Sequence, residues 1–252
     1  MKNDTGLPYL WFDLDDTLWD MTGNSTETLT ELFHDDPDIG EAYGTRGADL
    51  WLDTYHTVNA ALWERYSRAE ISRDYLRLER FAAPLRMAGF TDRRAENVSR
   101  RLDHEYLDRL GRKSRLIDGA RQMLDTAAGL GFRMGIVSNG FAEIQFNKLN
   151  SAGIGHYFDT IVLSDEIEIN KPDIRFFRHA QRRAGVTAAG SLIIGDNPSA
   201  DIAGAIAAGW HAVWFNPDRK PAGILAGSGP YTECHSCSEI CDFLISLADN
   251  AS

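Results

Sequence analysis

Short runs of apolar residues recur along this chain, and each ends at a polar residue or a turn. Five of them occupy residues 9–12, 132–137, 160–163, 191–195 and 212–215. They are largely continuous rather than alternating with polar residues, which is typical of strands buried on both faces of a parallel sheet. The pattern therefore predicts five buried parallel strands.

Amphipathic stretches at helical spacing separate most of these runs. They cover residues 119–130, 142–152, 173–184 and 199–208. A glycine stands just past each stretch, at Gly131, Gly153, Gly185 and Gly209, where a helix commonly ends in a left-handed residue. Strands that alternate with helices predict an α/β fold with a doubly wound parallel sheet.

A second pattern interrupts this alternation after the first strand. Residues 20 to about 115 are polar, rich in Arg and Glu, and carry apolar residues at helical spacing. We expect one helix from Asn24 to about residue 35 and three more over 48–66, 72–85 and 92–110, enough for a small bundle. The predicted domains are an α/β core of residues 1–19 and 115–252 and an inserted helical unit of residues 20–114.

The net charge of the chain indicates which classes of macromolecule it is not expected to bind. The 252 residues carry 26 Lys and Arg against 37 Asp and Glu, a formal net charge of −11. Such a chain gains nothing from the counterion release that drives binding to nucleic-acid polymers, and we do not expect it to favour an anionic membrane. The N-terminal residues lack a signal-peptide pattern and no apolar run is long enough to span a membrane, so we expect a cytoplasmic protein.

Three cysteines, Cys234, Cys237 and Cys241, stand near the C-terminus beside His235. Their odd number argues against a disulfide framework. A metal cluster is the alternative to simple packing, but structural zinc sites usually pair two separated knuckles. Positions i, i+3 and i+7 share one helix face, so we expect the three thiols to pack together on one helix.

Polar residues of defined chemistry follow the predicted strands. They are Asp13 and Asp15, Ser138 and Asn139, and Asp196, with Lys171 in a loop before Pro172. The carboxyl ends of parallel strands share one edge of the sheet, and ligands of α/β proteins bind at that edge. We therefore expect these side chains in one crevice.

The carboxylates in this set suit phosphoryl transfer. Asp13 and Asp196 offer the oxygens that Mg²⁺ prefers, and the cation would offset the repulsion between a carboxylate nucleophile and a phosphate. Asp13 would form an aspartyl-phosphate, while Asp15 would protonate the leaving oxygen and later take a proton from water.

The remaining residues of the crevice suit the binding of a phosphoryl group. Ser138 and the backbone N–H of Asn139 or Gly140 are expected to hydrogen-bond its oxygens. Lys171 adds a positive point charge. Each of these residues is also common in ordinary turns or on surfaces, so the prediction depends on their convergence.

Four motifs of the chain resemble those of the haloacid dehalogenase superfamily. They are Asp13-Leu14-Asp15-Asp16-Thr17, Ser138-Asn139-Gly140, Lys171-Pro172 and Gly195-Asp196-Asn197-Pro198-Ser199-Ala200-Asp201. They occur in order, at strand ends or in the expected loop, and the resemblance covers nearly the whole chain. It implies a Rossmann-like core with a helical cap, inserted after the first motif, that closes over the site and selects the substrate.

The resemblance also implies a role for each motif residue. Asp13 would be nucleophile and metal ligand, Asp15 the acid/base with its backbone carbonyl on Mg²⁺, and Asp196 the remaining metal ligand. Ser138 would bind the phosphoryl group and Lys171 would clamp it. Thr17 would support the nucleophile loop. Asp201 would lie next to the metal ligands without binding the metal itself.

Asp15 distinguishes between the reactions of this superfamily. Its dehalogenases do not carry an aspartate at that position, because a halide leaving group needs no proton. The residue therefore favours hydrolysis of a phosphoester. Asp16 replaces the glycine that is common in the first motif, a variant that also occurs among the phosphatases of the superfamily.

A closer resemblance concerns the substrate. Residues 12–20 with Asn24, residues 59–63 with Arg80-Phe81, and residues 214–217 resemble the noncanonical pyrimidine 5′-nucleotidases of this superfamily. This implies nucleoside monophosphates as substrates. A small sugar phosphate is the alternative within the class; a phosphomutase, a dehalogenase and a non-catalytic binding protein are alternatives outside it.

Several residues of the helical unit have two interpretations. Trp51, Tyr55, Trp63 and Phe81 are expected in the core of the bundle more than in contact with a substrate. Arg80 is expected either to bind a second anionic group or to pair with a neighbour such as Glu79.

Overall fold

The computed structural model describes residues 6–251, which form two compact units. The core unit holds the described residues up to Met21 and from Ser114 onward, and the helical unit is Thr22–Lys113. The first five residues and Ser252, which the sequence analysis assigns to the core, lie outside the described residues. Within residues 6–251, no helix has both the length and the apolar composition needed to cross a bilayer.

The helical unit contains five helices within the described part of the chain. They are α1 (Met21–Asp35), α2 (Pro37–Tyr43), α3 (Ala48–Ser67), α4 (Arg73–Met87) and α5 (Asp92–Gly111). The four long helices are those that the sequence predicts, and α2 is additional. It begins because the Asp36 carboxylate accepts hydrogen bonds from the backbone N–H groups of Asp38 and Ile39, which caps a new helix at Pro37.

Aromatic side chains fill the interior of the helical unit. Trp51, Tyr55 and Phe81 are fully buried, as predicted for bundle core, whereas Trp63 is half-buried. The expectation that Arg80 pairs with Glu79 is wrong, and its binding of a second anionic group stays a prediction. Its buried guanidinium pairs with Asp103 on α5, and Glu79 pairs with Arg86 instead.

Six parallel strands form the sheet of the core unit, counted over residues 6–251. They are β1 (Tyr9–Phe12), β2 (Met134–Ser138), β3 (Thr160–Leu163), β4 (Ser191–Gly195), β5 (His211–Phe215) and β6 (Thr232–Cys234). Their order in the sheet is β3-β2-β1-β4-β5-β6. This is the order of a doubly wound sheet, and the predicted fold class is confirmed.

The strands form where the apolar runs lie because both faces of the sheet are covered. Every residue of β1, β2 and β4 is buried. Trp11 stacks on Trp210 on one face, while Phe12 packs edge-on against Phe158 on the other. The sixth strand, β6, is not predicted by the apolar pattern, because this three-residue edge strand carries the exposed Glu233 and has no apolar run.

The helices of the core unit follow the predicted alternation. They are α6 (Ala120–Gly129), α7 (Ala142–Ser151), α8 (Ser164–Ile167), α9 (Ile174–Ala184), α10 (Gly204–Ala207) and α11 (Cys237–Asp249). The four glycines expected to end helices all have positive φ angles, between 63° and 86°. The predicted helical stretch over 199–208 is helical, but Pro198–Ala203 is π-helical and the α-helix α10 begins only at Gly204.

The expectation of three cysteines on one helix is wrong for Cys234. This residue ends β6, and α11 begins only at Cys237 because Ser236 caps it by accepting a hydrogen bond from the Glu239 N–H. Burial raises the pKa of Cys234 to about 11 and that of Cys237 to about 12. These thiols are therefore protonated at neutral pH, as expected of packing residues.

Candidate active site

The predicted site residues of the core unit meet where the strand order reverses. Asp13 follows β1 and Asp196 follows β4, two strands that are neighbours in the sheet. The Asp13 N–H donates to the Ile194 carbonyl at 3.0 Å, which continues the pairing one residue past β1. The crevice at such a switch point is where doubly wound proteins bind their ligands.

A buried ion cluster lies at the centre of this crevice. The Lys171 ammonium contacts Oδ1 of Asp13 at 2.6 Å and Oδ1 of Asp201 at 2.5 Å. It also donates to the Val137 carbonyl at 2.8 Å, so its three donor positions are all used. All three charged side chains are buried. Lys171 thus ties the end of β2 to two of the carboxylates.

The charges in this cluster shift one another's pKa values. Burial is the largest cause that raises the pKa of Asp13 from 3.8 to about 7; the Lys171 charge opposes it, and the charges of Asp201 and Asp15 add to it. Burial also raises the pKa of Asp196 well above its ordinary value, with Asp13 as the next cause. Burial is therefore the main cause of both shifts, and the nearby carboxylates add to it.

Lys171 remains charged within this cluster. Burial alone would lower the pKa of its ammonium group, but the carboxylates of Asp13 and Asp201 together outweigh burial and the pKa is raised. The lysine is therefore a permanent positive charge beside the Asp13 carboxylate at any pH at which the protein is expected to work.

The loop after β1 turns tightly and is fastened to the loop after β4. Asp16 has a φ of 58°, in the left-handed region that glycine adopts most easily and aspartate tolerates. This conformation explains why glycine is common at the position in related first motifs. Thr17 accepts a hydrogen bond from the Asp196 N–H at 3.0 Å and lies 3.3 Å from the Asp196 carboxylate.

The Ser138-Asn139-Gly140 segment has two different attachments. The Asn139 side chain donates to the Lys171 carbonyl at 2.9 Å and accepts from the Lys171 N–H at 2.8 Å, so it fixes the lysine loop. The Gly140 N–H donates to Ser138 Oγ at 3.1 Å. Of this segment, the backbone N–H of Asn139 and the Ser138 hydroxyl hydrogen remain as the predicted phosphate donors.

Two further residues of the site, Gln145 and Lys148 on α7, are not among the predicted ones. Lys148 Nζ lies 2.6 Å from Oδ1 of Asp15, and Gln145 Nε2 lies 3.0 Å from Oδ2 of the same carboxylate. Both side chains are buried. The available signal was their i, i+3 spacing in the helix that follows Ser138, which places both on one helix face.

The donor set of the crevice fits a divalent cation. Oxygens of Asp13, Asp196 and Asp201 lie within 4.8 Å of one another. Asp201 is already bound to Lys171 and to the Asn197 N–H at 3.0 Å, whereas Asp13 and Asp196 carry the raised pKa values. Carboxylate oxygens are the ligands that hard cations such as Mg²⁺ prefer, and a cation would relieve this repulsion.

Comparison with known families decides the assignment of the chain. A model of the haloacid dehalogenase-like hydrolases matches residues 10–209. The chain belongs to this family. The predicted superfamily and the prediction that the protein is an enzyme of the hydrolase class are thereby confirmed.

Individual relatives within this family match over most of their length. Pyrimidine 5′-nucleotidase PynA of Streptococcus pneumoniae is 29% identical over 237 residues, which is 94% of each chain. Pyrimidine 5′-nucleotidase YjjG of Escherichia coli is 28% identical over 219 residues, 86% of this chain and 90% of that protein. A crystal structure of the HAD-hydrolase YfnB of Bacillus subtilis bound to magnesium matches with a TM-score of 0.79 and 28% identity, covering 95% of this chain and 99% of that one.

Proposed function

We propose that this hydrolase is a Mg²⁺-dependent phosphatase that cleaves phosphomonoesters through an aspartyl-phosphate on Asp13. The observation that carries the proposal is that two aspartates of one loop are bound by different hydrogen-bond donors. Asp13 is bound by Lys171, while Asp15 is bound by Gln145 and Lys148. Separate surroundings allow the two carboxylates to take different parts in one reaction.

The first half of the reaction transfers the phosphoryl group to the enzyme. An oxygen of Asp13 attacks phosphorus, the bond from phosphorus to the ester oxygen breaks, and protonated Asp15 gives its proton to that leaving oxygen. Lys171 holds Asp13 in place, and Ser138 donates its hydroxyl hydrogen to a phosphoryl oxygen. The product alcohol then leaves.

The second half returns the enzyme to its starting state. Asp15 takes a proton from a water molecule whose oxygen attacks phosphorus, and the bond from phosphorus to the Asp13 oxygen breaks. Phosphate leaves, Asp13 is again a carboxylate, and Asp15 has regained the proton it gave away. Asp15 therefore serves as acid and then as base.

The metal ligands in this proposal are the Asp13 and Asp196 carboxylates and the backbone carbonyl of Asp15. Bound Mg²⁺ supplies positive charge that offsets the repulsion between the Asp13 carboxylate and the phosphate anion. Asp201 acts indirectly, because its carboxylate orients Lys171. Thr17 fixes the position of Asp196 through its backbone N–H.

Nucleoside monophosphates, pyrimidine nucleotides first, are the proposed substrates. PynA and YjjG, both named as pyrimidine 5′-nucleotidases, support this choice, as does the resemblance of residues 12–20 to that branch. The helical unit is proposed as the substrate-selecting cap of the family.

Phosphate release from a panel of nucleoside monophosphates and sugar phosphates tests the proposal. We expect release with Mg²⁺ that is led by pyrimidine nucleotides, absent with EDTA and lost in Asp13→Asn. Release from sugar phosphates alone would retain the chemistry and discard the nucleotidase assignment. Conversion between phosphate isomers, halide release from haloacids, or no turnover would instead support the mutase, dehalogenase or non-catalytic alternative.

A further inference from the structure

Helix α7 presents two buried polar side chains to the Asp15 carboxylate. Gln145 is fully buried and Lys148 is 3% exposed. Burying an amide and an ammonium group costs free energy that only hydrogen bonds and an opposite charge can offset. If the only need were to fill space, apolar residues would stand here. The two donors therefore indicate that the Asp15 carboxylate needs hydrogen-bonding partners at this place.

The Lys148 ammonium is held from several sides. It contacts Oδ1 of Asp15 at 2.6 Å, lies 4.7 Å from the centre of the Trp19 ring and lies 3.7 Å from the Met21 sulfur. A cation over an aromatic face gains further attraction when it is shielded from water. These contacts leave the ammonium little freedom to move away from Asp15.

Gln145 connects the acid/base carboxylate to the predicted phosphate-binding hydroxyl. Its Nε2 donates to Oδ2 of Asp15 at 3.0 Å and to Ser138 Oγ at 2.6 Å. The Gly140 N–H already donates to the same hydroxyl oxygen, so both lone pairs of Ser138 Oγ are used. The hydroxyl hydrogen is thereby left to donate to a phosphoryl oxygen.

Two further observations concern the space around Gln145. A side chain at Gly140 would overlap the Gln145 amide, so the glycine of the second motif makes room for it. The Gln145 Oε1 atom is buried without a hydrogen-bond partner among the described residues. An unpaired buried acceptor costs free energy, so its presence calls for an explanation, and a role in the site is one.

We propose that Gln145 and Lys148 are positioning residues that hold the Asp15 carboxylate toward the leaving oxygen. The proposal rests on the phosphatase function proposed above. With a donor on each oxygen, the carboxylate cannot rotate without losing a bond. Each oxygen keeps a second lone pair for the proton that Asp15 gives and takes.

A series of substituted phenyl phosphates tests the proposal with Lys148→Met and Gln145→Met. Proton donation matters little when the leaving phenolate is a stable anion and matters more as the leaving group becomes more basic. We expect kcat/KM to fall by about 100-fold for uridine 5′-monophosphate and the most basic phenols, and by less than about 3-fold for p-nitrophenyl phosphate. Lys220→Met, which removes an exposed lysine, serves as the matched control.

A double variant shows whether the two residues act through Asp15. In an Asp15→Asn background, Lys148→Met should cause no further loss of kcat/KM, because groups that act as a unit are not additive. An equal loss for all leaving groups, an undiminished kcat/KM, or full additivity with Asp15→Asn would each overturn the proposal.

Crystal structures separate this proposal from the phosphatase assignment. If the wild-type protein hydrolyses neither phenyl phosphates nor nucleotides with Mg²⁺, the proposed function fails. The position of Asp15 in wild-type and Lys148→Met crystals then shows whether Lys148 positions this carboxylate. A carboxylate that has rotated away in the variant supports positioning by Lys148, and an unmoved carboxylate overturns it.

Discussion

Each unit of the protein contains a cluster of buried charged side chains, and the two clusters differ in charge balance. In the helical unit, buried Arg80 pairs with buried Asp103, and Arg77 reaches the same carboxylate from nearer the surface at 2.7 Å. The Arg80 guanidinium also lies over the Tyr106 ring, 5.0 Å from its centre. This cluster holds two cations and one anion, so it has no excess of negative charge.

The cluster of the core unit has more anions than cations. Four carboxylates, Asp13, Asp15, Asp196 and Asp201, face the ammonium groups of Lys148 and Lys171. Burial raises the pKa values of Asp13 and Asp196, and the neighbouring carboxylates add to both shifts. Buried charge is therefore common to both units, whereas an excess of negative charge is the property that marks the site where a cation is expected.

The largest expected effect comes from removing one carboxylate of the core-unit cluster. We expect Asp13→Asn to lower phosphate release by about 10⁴-fold or more, because the proposed nucleophile is gone. The melting temperature should not fall, because an excess negative charge has been removed. Phosphate assays and thermal melts of both proteins check this, and substantial turnover in the variant would contradict the proposed nucleophile.

The same chemical change in the cluster of the helical unit should have the opposite consequence for stability. Asp103→Asn leaves the Arg80 guanidinium buried without its counter-charge, and we expect the free energy of unfolding to fall by about 3 kcal/mol. Urea denaturation measures the change. Asp108→Asn on the same helix, whose partner is the exposed Arg112, is the control and should cost less than about 1 kcal/mol.

A pair of glycines, one in each unit, sharpens the comparison without changing any charge. Gly140→Ala would displace the Gln145 amide, and we expect kcat/KM to fall by about 10-fold through the loosened Asp15. Gly40→Ala meets no atom within 4 Å and should leave turnover unchanged while slightly stabilising α2. Equal effects of the two substitutions would contradict the packing argument.

The smallest expected effect is a pH-dependent stabilisation by Mg²⁺. The pKa of Asp13 is about 7 in the folded protein against an ordinary 3.8, so the folded state binds more protons over that interval. Without metal, this group makes the free energy of unfolding decrease as pH rises from about 4 to 7. We expect Mg²⁺ to raise the melting temperature by ~5 °C at pH 8 and by less at pH 5.

Asp13→Asn is the control for this measurement. Without the Asp13 carboxylate, both the fall in metal-free stability and the stabilisation by Mg²⁺ should be reduced. A Mg²⁺ effect of equal size at both pH values in the wild-type protein would contradict the assignment of the excess charge to this site.

Much of this site could be predicted because it follows from backbone topology. Asp13, Ser138 and Asp196 each stand at or next to the carboxyl end of a buried strand, and parallel strands bring such positions together whatever the surrounding side chains are. Apolar runs reveal buried strands directly. The same reasoning fails for β6, because an edge strand with an exposed Glu233 leaves no such run.

The residues that escaped prediction depend on which helix faces meet. A polar residue on a helix faces solvent by default. The sequence of α7 places Gln145 and Lys148 on one helix face but does not indicate that this face turns toward Asp15. Arg80 escaped in the same way, since its partner Asp103 lies on another helix and Glu79 is nearer only along the chain. Pairing between helices requires the packed structure.

The π-helical segment Pro198–Ala203 restricts how this region tolerates insertions and deletions. The Ile202 N–H bonds to the carbonyl of Asn197, five residues back, and this widened turn keeps Asp201 next to Lys171. Deleting one residue would favour an ordinary α-turn and rotate the residues on one side of the deletion by about 100° relative to those on the other. Between Asp196 and Asp201 we therefore expect evolution to exchange residues more readily than to change the length of the chain.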